Sequence, residues 1–335
     1  MPSLLERLGV ELPVVQAGMG GGLSRHELAA AVSDAGGLGT IAVSGAEAIR
    51  RELAAARALT GRPLAVNLLL PFARRDWFEA AAGADVVVTF WGRPRRRTSG
   101  VWLHQCGSVA EAREARAAGA DAVIVQGVEA GGHVRGTVPA LELLEQVRAA
   151  LPPEYPLLLA GGIAERGDVR AALEAGATAA VAGTRFLLAE ESRAHPVYRQ
   201  RLVDASETIL TDLFGAAWPA PHRVIPNAAT ERWLGGVRPF PGISPGKDER
   251  RLVRAPRANR AFNHLLAPGA RYTPPSLQLG MMRRQRPGSR LLTPAGPTDE
   301  GPATLVDAGA LYAGETVARI GDVRPAAVIV SDLSG

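Results

Sequence analysis

Between Pro13 and Phe186, short apolar runs alternate with alanine-rich segments of 3.6-residue period, and this alternation narrows the choice of fold more than any other property of the chain. Eight runs have strand length: Pro13–Gly18, Leu38–Val43, Leu64–Leu70, Asp85–Trp91, Val101–Gly107, Ala122–Gly127, Pro156–Gly162 and Ala179–Phe186. Their largely continuous apolar character suits strands covered on both faces. The segments between them carry helix signals. In "SRHELAAAVSDAGG", Ser24 is the expected N-cap, Glu27 completes a capping box and Gly36 stops the helix. "SVAEAREARAAGA" and "ERGDVRAALEAGA" repeat that logic. Eight strands alternating with helices predict an α/β chain folded as a (β/α)8 TIM barrel. A doubly wound open sheet is the alternative, but its usual GxGxxG turn is met only loosely by "GMGGG" after the first strand.

Two stretches depart from the repeat. Between the fourth and fifth strands stands only "GRPRRRTSG", Gly92 to Gly100, too short for the usual crossover helix. The fourth outer helix is therefore expected to be missing or reduced to a loop, leaving a basic gap. After Phe186 the helical regularity fades through the Pro- and Gly-rich "GGVRPFPGISPGKDE". The expectation is a barrel over residues 1–204, a substrate-side excursion of helices and loops without a core of its own over 205–307, and a segment over 308–335 that returns to the barrel, with "GETVARI" as its short helix.

The 335 residues, 47% of them hydrophobic, can bury a large core. No basic N-terminal region precedes a long apolar stretch, and no 18-residue uncharged apolar segment occurs, so a cytoplasmic location is expected. The single cysteine, Cys106, excludes an internal disulfide and cysteine-clustered metal sites. The net charge of +5 is modest, and the arginine runs at Arg93–Arg97 and Met281–Arg290 lack interleaved aromatics. They read as solvated basic faces rather than nucleic-acid platforms.

In such a barrel the chemistry sits at the carboxyl ends of the strands. Gly161, Gly162, Gly183 and Thr184, after the seventh and eighth strands, suit a phosphate cradle, since bare backbone and a helix N-terminus both attract anions. Asn67 and Gln126 stand in otherwise apolar strands, where an unpartnered amide costs roughly 1 to 3 kcal/mol. A flavin edge or neighbouring backbone would satisfy either. Cys106 ends a strand two residues after His104, but a lone cysteine is more often a small buried hydrophobe. His133 follows the sixth strand between Gly131, Gly132 and Gly136, with an ordinary pKa near 6.5 that suits proton transfer. His26, His104, His195, His222 and His264 have no comparable setting, and no metal cluster emerges from them.

"PVVQAGMGGGLSRHELAAAVSDAGGLGTIA", "LAVNLLLP", "DAVIVQGVEAGGHVRG", "LLLAGGIAERGDVRAALEAGATAAVAGTRFL" and "LYAGETVARIGDVRPAAVIV" resemble the nitronate monooxygenases, FMN-containing barrel enzymes. The resemblance covers roughly 13–232 and about the last 25 residues. It implies FMN contacts from Ala17, Gly18, Met19, Asn67, Gln126, Gly131, Gly162, Val181, Ala182, Gly183 and Thr184. It also implies that His133 is the catalytic base or a substrate-positioning group. The reaction implied is oxidation of alkyl nitronates or nitroalkanes with O2 to a carbonyl compound and nitrite, through electron transfer to FMN. The wider group sharing these motifs includes a flavin-dependent, NAD(P)H-using enoyl-thioester reductase, which is the alternative; a phosphate-binding barrel without flavin is a third. A homodimer is one arrangement open to such a chain. Two departures stand out: Gly18 replaces the proline usual in the first motif, and no lysine follows the "YAG" of the tail.

Overall fold

The computed structural model describes residues 3–235, 251–270, 272 and 275–335. Residues 236–249, most of the Pro- and Gly-rich stretch, lie outside this set. In chain order the strands are β1 (Val14–Gln16), β2 (Gly39–Ile41), β3 (Leu64–Leu69), β4 (Val86–Phe90), β5 (Val101–Cys106), β6 (Ala122–Gln126), β7 (Gly132–His133), β8 (Leu157–Ala160), β9 (Ala179–Ala182), β10 (Ile209–Thr211), β11 (His222–Val224) and β12 (Leu252–Val253). They fall into two compact units. The first comprises Met1–Val128, Arg135–Arg193 and Val323–Gly335; the second comprises Glu129–Val134 and Ala194–Asp322. Among the described residues no helix is long and apolar enough to cross a membrane.

The first unit is the expected (β/α)8 barrel. Eight parallel strands run in the order β1-β9-β8-β6-β5-β4-β3-β2. The two ends meet where Val15 bridges Leu38, with Gln16 N–H donating to Leu38 O at 2.9 Å and Leu38 N–H to Val14 O at 3.0 Å. Closure removes the exposed edges that an open sheet would leave. Strand alternation then sorts the side chains into layers. Val15, Ala65, Val88, Leu103, Ile124, Leu158 and Val181 fill the barrel, while Leu4 and Val10 join that inner cluster from the N-terminal segment. Val14, Val125, Leu159 and Ala180 face outward to helix residues such as Leu28, Leu144 and Val169.

Two local expectations change, and a third gains detail. Ser24 does not cap the first barrel helix: its hydroxyl donates to Thr40 O at 2.7 Å, and Arg25 occupies the N-cap without a side-chain bond. Ser24 is fully buried, so its hydroxyl takes the Thr40 carbonyl, and the half-buried helix start is served by Glu52 instead, whose Oε2 accepts the His26 N–H at 3.4 Å. Between β4 and β5 no helix forms, as expected, and the arginines of the basic run are exposed as a solvated face requires, but two of them also make local contacts. The Arg96 guanidinium bonds Gly100 O and Asp121 at 3.1 Å each, and Arg97 lies 5.4 Å from the Phe78 ring centre. "GETVARI" forms a short 3-10 helix, Glu315–Arg319, within the second unit. The returning helix is Ala326–Ser334, whose Ile329, Val330 and Leu333 join the outer core of the first unit. Its Val-Ile-Val run has strand propensity, and burial of one helical face overrides it.

The second unit holds a four-stranded sheet ordered β12-β10-β11-β7 and a cluster of Ile209, Leu213, Phe214, Val224, Ala229, Ala255, Leu292 and Ala310. The excursion thus has a sheet and a core of its own, contrary to the expectation of helices and loops alone. Strands of two or three residues are too short to print a period-2 signal in the sequence.

Candidate active site

In the first unit, alternation also decides which side chains reach the barrel mouth. Residues two positions beyond the inner cluster, at the carboxyl ends of their strands, face inward as well: Ala17, Asn67, Phe90, Gln105, Gln126 and Gly183. Three amides therefore share the mouth. Gln126 Oε1 accepts the Arg135 N–H at 2.9 Å, the backbone pairing weighed above. Asn67 and Gln105 are half-buried, and among the described residues neither amide has a hydrogen-bond partner. Gln105 belongs to no motif of its own in the sequence, yet the alternation that turns Asn67 inward turns it inward too.

Glycines open the backbone around these amides. A Cβ on Gly18 would stand 2.4 Å from Asn67 Cβ and 2.9 Å from its Nδ2, so the replacement of the usual proline matches a close approach of the two strand ends. Gly161 and Gly162 adopt φ of +111° and +77°, and nothing lies within 4 Å of a Cβ built on Gly162. Ala17 N–H donates to Ala182 O at 2.8 Å, and a Cβ on Gly183 would meet Ala17 Cβ at 3.5 Å. Val181 and Ala182 are buried strand residues, and Met19, half-buried, holds the following turn through its carbonyl, which accepts Ser24 N–H. The helix after Gly162 brings no bare terminus, because Asp168 accepts the N–H groups of Ala164 and Glu165 at 2.8 and 2.9 Å. The helix after Gly183, Thr184–Leu187, is a single turn. The mouth thus offers unengaged amides and open glycine backbone. That donor set fits the carbonyl and nitrogen edge of a flat heterocycle better than it fits a phosphate alone.

Cys106 and His104 face the other way. Cys106 lies in the outer core, and burial pushes its thiol well above the ordinary range, so it has no nucleophilic character. His104 is lowered to about 4, first by burial and second by the positive charge of Arg135, and its Nδ1 pairs with Thr89 Oγ1 at 2.7 Å.

His133 stands in β7 of the second unit, opposite His222 of β11 in antiparallel register. The two glycines before it have separate causes. A Cβ on Gly131 would lie 2.6 Å from Ala313 C and 2.7 Å from Gly314 N, so the "AGG" and "YAG" motifs pack backbone to backbone. Gly132 needs its left-handed φ of +75°. The His133 ring lies 3.7 Å from the Trp218 ring, nearly parallel at 18°, with His222 at 5.4 Å and Tyr312 at 5.6 Å. Burial, then the neighbouring His222, holds His133 well below its usual pKa, so it is neutral at pH 7. His222 is lowered to about 4 for the first reason. Tyr312 gives its hydroxyl to Pro294 O and takes the Tyr198 hydroxyl on its own carbonyl at 2.6 Å. His222, set aside in the sequence reading, is thus a direct neighbour of His133, and Trp218 carried no sequence signal.

In the first unit the fold also gathers His26, Glu27 and Glu52, with ligand-type atoms all within 4.8 Å of one another, a group that sequence spacing does not reveal. Arg193 lies 3.3 Å from Glu27 and Arg51 3.3 Å from Glu52, so it is an ion-pair network as it stands.

A family model described as nitronate monooxygenase matches residues 2–84 and 93–235. The chain is 35% identical over 295 residues to a nitronate monooxygenase of Pseudomonas aeruginosa, covering 70% of this chain and 82% of that one. It is 32% identical to a (3aS,4S,5R,7aS)-5-hydroxy-7a-methyl-1-oxo-octahydro-1H-indene-4-carboxyl-CoA dehydrogenase of Mycobacterium tuberculosis, covering 70% and 69%. Among solved structures, FabK from Thermotoga maritima is similar at TM-score 0.73 and 27% identity, covering 98% of this chain and 94% of that one. A nitroalkane oxidase from Streptomyces ansochromogenes is similar at TM-score 0.70 and 30% identity, covering 99% and 96%.

Proposed function

Because the chain belongs to the nitronate monooxygenase family of oxidoreductases, we propose that it oxidises alkyl nitronates and nitroalkanes with O2 to a carbonyl compound and nitrite, using FMN held by the barrel mouth. The observation that carries this reading is the pair of unengaged, half-buried amides, Asn67 and Gln105, beside the open glycine backbone. Asn67, Gln105 and Gln126 would bond the edge of the ring system. Ala17, Gly18 and Met19 would lie along it. Gly162, with Val181, Ala182, Gly183 and Thr184, would take the phosphate end through backbone N–H groups. Bound FMN supplies an electron acceptor that no side chain can replace.

His133 is the base in this reading. Its imidazole, held neutral at pH 7, is basic at one ring nitrogen and takes the proton from the carbon next to the nitro group, which leaves a nitronate. A substrate that arrives as the nitronate skips that step. An absorbance spectrum after reconstitution with FMN is the first test, and absence of flavin bands refutes the reading. Turnover of propionate 3-nitronate, monitored as nitrite, is the second. His133→Ala should keep FMN and nitronate turnover while losing nitroalkane turnover; unchanged nitroalkane turnover refutes the base.

A relative named as a carboxyl-CoA dehydrogenase supports the substrate class of a second reading, a CoA thioester; in that reading the same barrel works in the reducing direction, on an enoyl thioester with NAD(P)H. Bleaching of the flavin bands by NADH without O2, followed by recolouring with an enoyl thioester, would select it.

A further inference from the structure

We propose that Trp218 is a positioning residue for His133 and that His222 is the clamp that holds Trp218 against it. The inference rests on the reading of His133 as the base.

The stack is closer than aromatic rings ordinarily choose. Ring centres in aromatic pairs usually lie about 4.5 to 7 Å apart in offset or edge-to-face geometry. His133 and Trp218 lie 3.7 Å apart at 18°. An indole covering one face of the imidazole blocks its rotation out of that plane. The direction of the nitrogen electron pairs, which lie in the ring plane, is thereby set. Proton abstraction depends on that direction, whereas binding of a nitronate does not.

The segment that carries Trp218 is built to deliver it. Ala217, the residue before it, has φ +66°, a left-handed conformation that is costly for a non-glycine residue and persists only where surrounding contacts hold it. Those contacts are specific. Trp218 N–H donates to Gly215 O at 3.0 Å, and Ala220 N–H to Trp218 O at 2.8 Å. Gly215 admits no side chain, since a Cβ there would lie 2.9 Å from Asp212 O and 3.2 Å from Pro219 Cα.

His222 ties the two ends of this segment with one ring. Its Nε2 accepts the Phe214 N–H at 3.1 Å, and its Nδ1–H donates to Ala220 O at 2.9 Å. Both nitrogens are engaged, one as acceptor and one as donor, so a rotated ring would release Phe214 or Ala220 and free the turn between them. His222 touches no reacting atom in this account. Besides its edge contact with the His133 ring, it acts on His133 by holding Trp218 in place.

The test uses the full-length, FMN-loaded protein and two substrates, nitroethane and ethyl nitronate. Trp218→Ala should lower kcat for nitroethane on the order of 100-fold, the scale for a displaced catalytic group, while ethyl nitronate turnover stays within about twofold. Trp218→Phe, which keeps a flat ring, should restore most of the nitroethane rate. His222→Phe should reproduce the Trp218→Ala defect, and the double variant should lose no more than either single one. A readout besides activity is the His133 Cε1–H resonance, which an indole face shifts upfield. It should move toward the unstacked position in Trp218→Ala. Equal losses on both substrates, additive losses in the double variant, or an unmoved resonance overturn the positioning role. Wild-type protein that turns over ethyl nitronate but not nitroethane instead removes His133 as base, and the positioning role falls with it.

Discussion

Replacing His104 with leucine should flatten the acid sensitivity of the barrel unit. His104 is held to about 4 by burial and, second, by Arg135, whereas an unfolded histidine titrates near 6.5. Above pH 6.5 both states are neutral and the group contributes nothing to pH dependence. As pH falls, the unfolded chain takes the proton first, so stability is lost between about 6.5 and 4 and levels off below. The full shift corresponds to about 3 kcal/mol at about 1.4 kcal/mol per unit, of which about 2 kcal/mol is realised between pH 7.5 and pH 5. Urea unfolding followed by far-UV circular dichroism at those two pH values, for wild type and His104→Leu, measures the difference. The variant loses the Thr89 bond at both pH values, so that constant cost cancels. The wild-type drop in unfolding free energy should exceed the variant's by about 2 kcal/mol. Equal drops would refute the argument, because they would mean His104 is protonated as readily folded as unfolded.

Other outcomes follow from the same geometry. Gly18→Ala forces a Cβ into the Asn67 side chain and should weaken FMN binding roughly tenfold, as overpacking of about 1 to 3 kcal/mol would; an unchanged Kd by fluorescence titration counts against a cofactor at that strand end. Ala217→Gly should raise stability by about 0.5 to 1 kcal/mol by relieving the left-handed φ, and a lowered Tm would show that no strain is stored there. Leu333→Ala should cost about 2 to 5 kcal/mol, read as a shift in urea midpoint, since Leu333 is 2% exposed in the outer core; a change under 0.5 kcal/mol would deny the returning helix a structural role.

The barrel was legible because its strands are long apolar runs with glycine at their ends, and the burial pattern of β3 through β6 follows from that content alone. The inward direction of Asn67 and Gln126 was legible for the same reason, through strict alternation. Ser24 misled because a local pattern of N-cap and acidic partner carries no information about the Thr40 carbonyl sixteen positions away. Trp218 and His222 were beyond reach for a different reason. Their meeting with His133 depends on an antiparallel pairing of a two-residue strand with a three-residue one, and so short a strand leaves no periodic trace. The excursion's small sheet went unseen for that reason too.

The helix Ala326–Ser334 gives the first unit an unusual folding problem. Ile329 and Val330 share a core with Leu28 and Val32, from the opposite end of the chain. A barrel whose remaining helices follow their strands locally must therefore wait for its last outer helix until residues 194–322 have been made and the chain has come back. Loop-closure entropy rises only logarithmically with length, so the thermodynamic penalty is mild, but so distant a contact slows its own formation. During synthesis the outward faces of β1 and its neighbours stay uncovered longest. The apolar groove that this helix finally fills is therefore where a nascent chain of this protein is most open to aggregation and to chaperone capture.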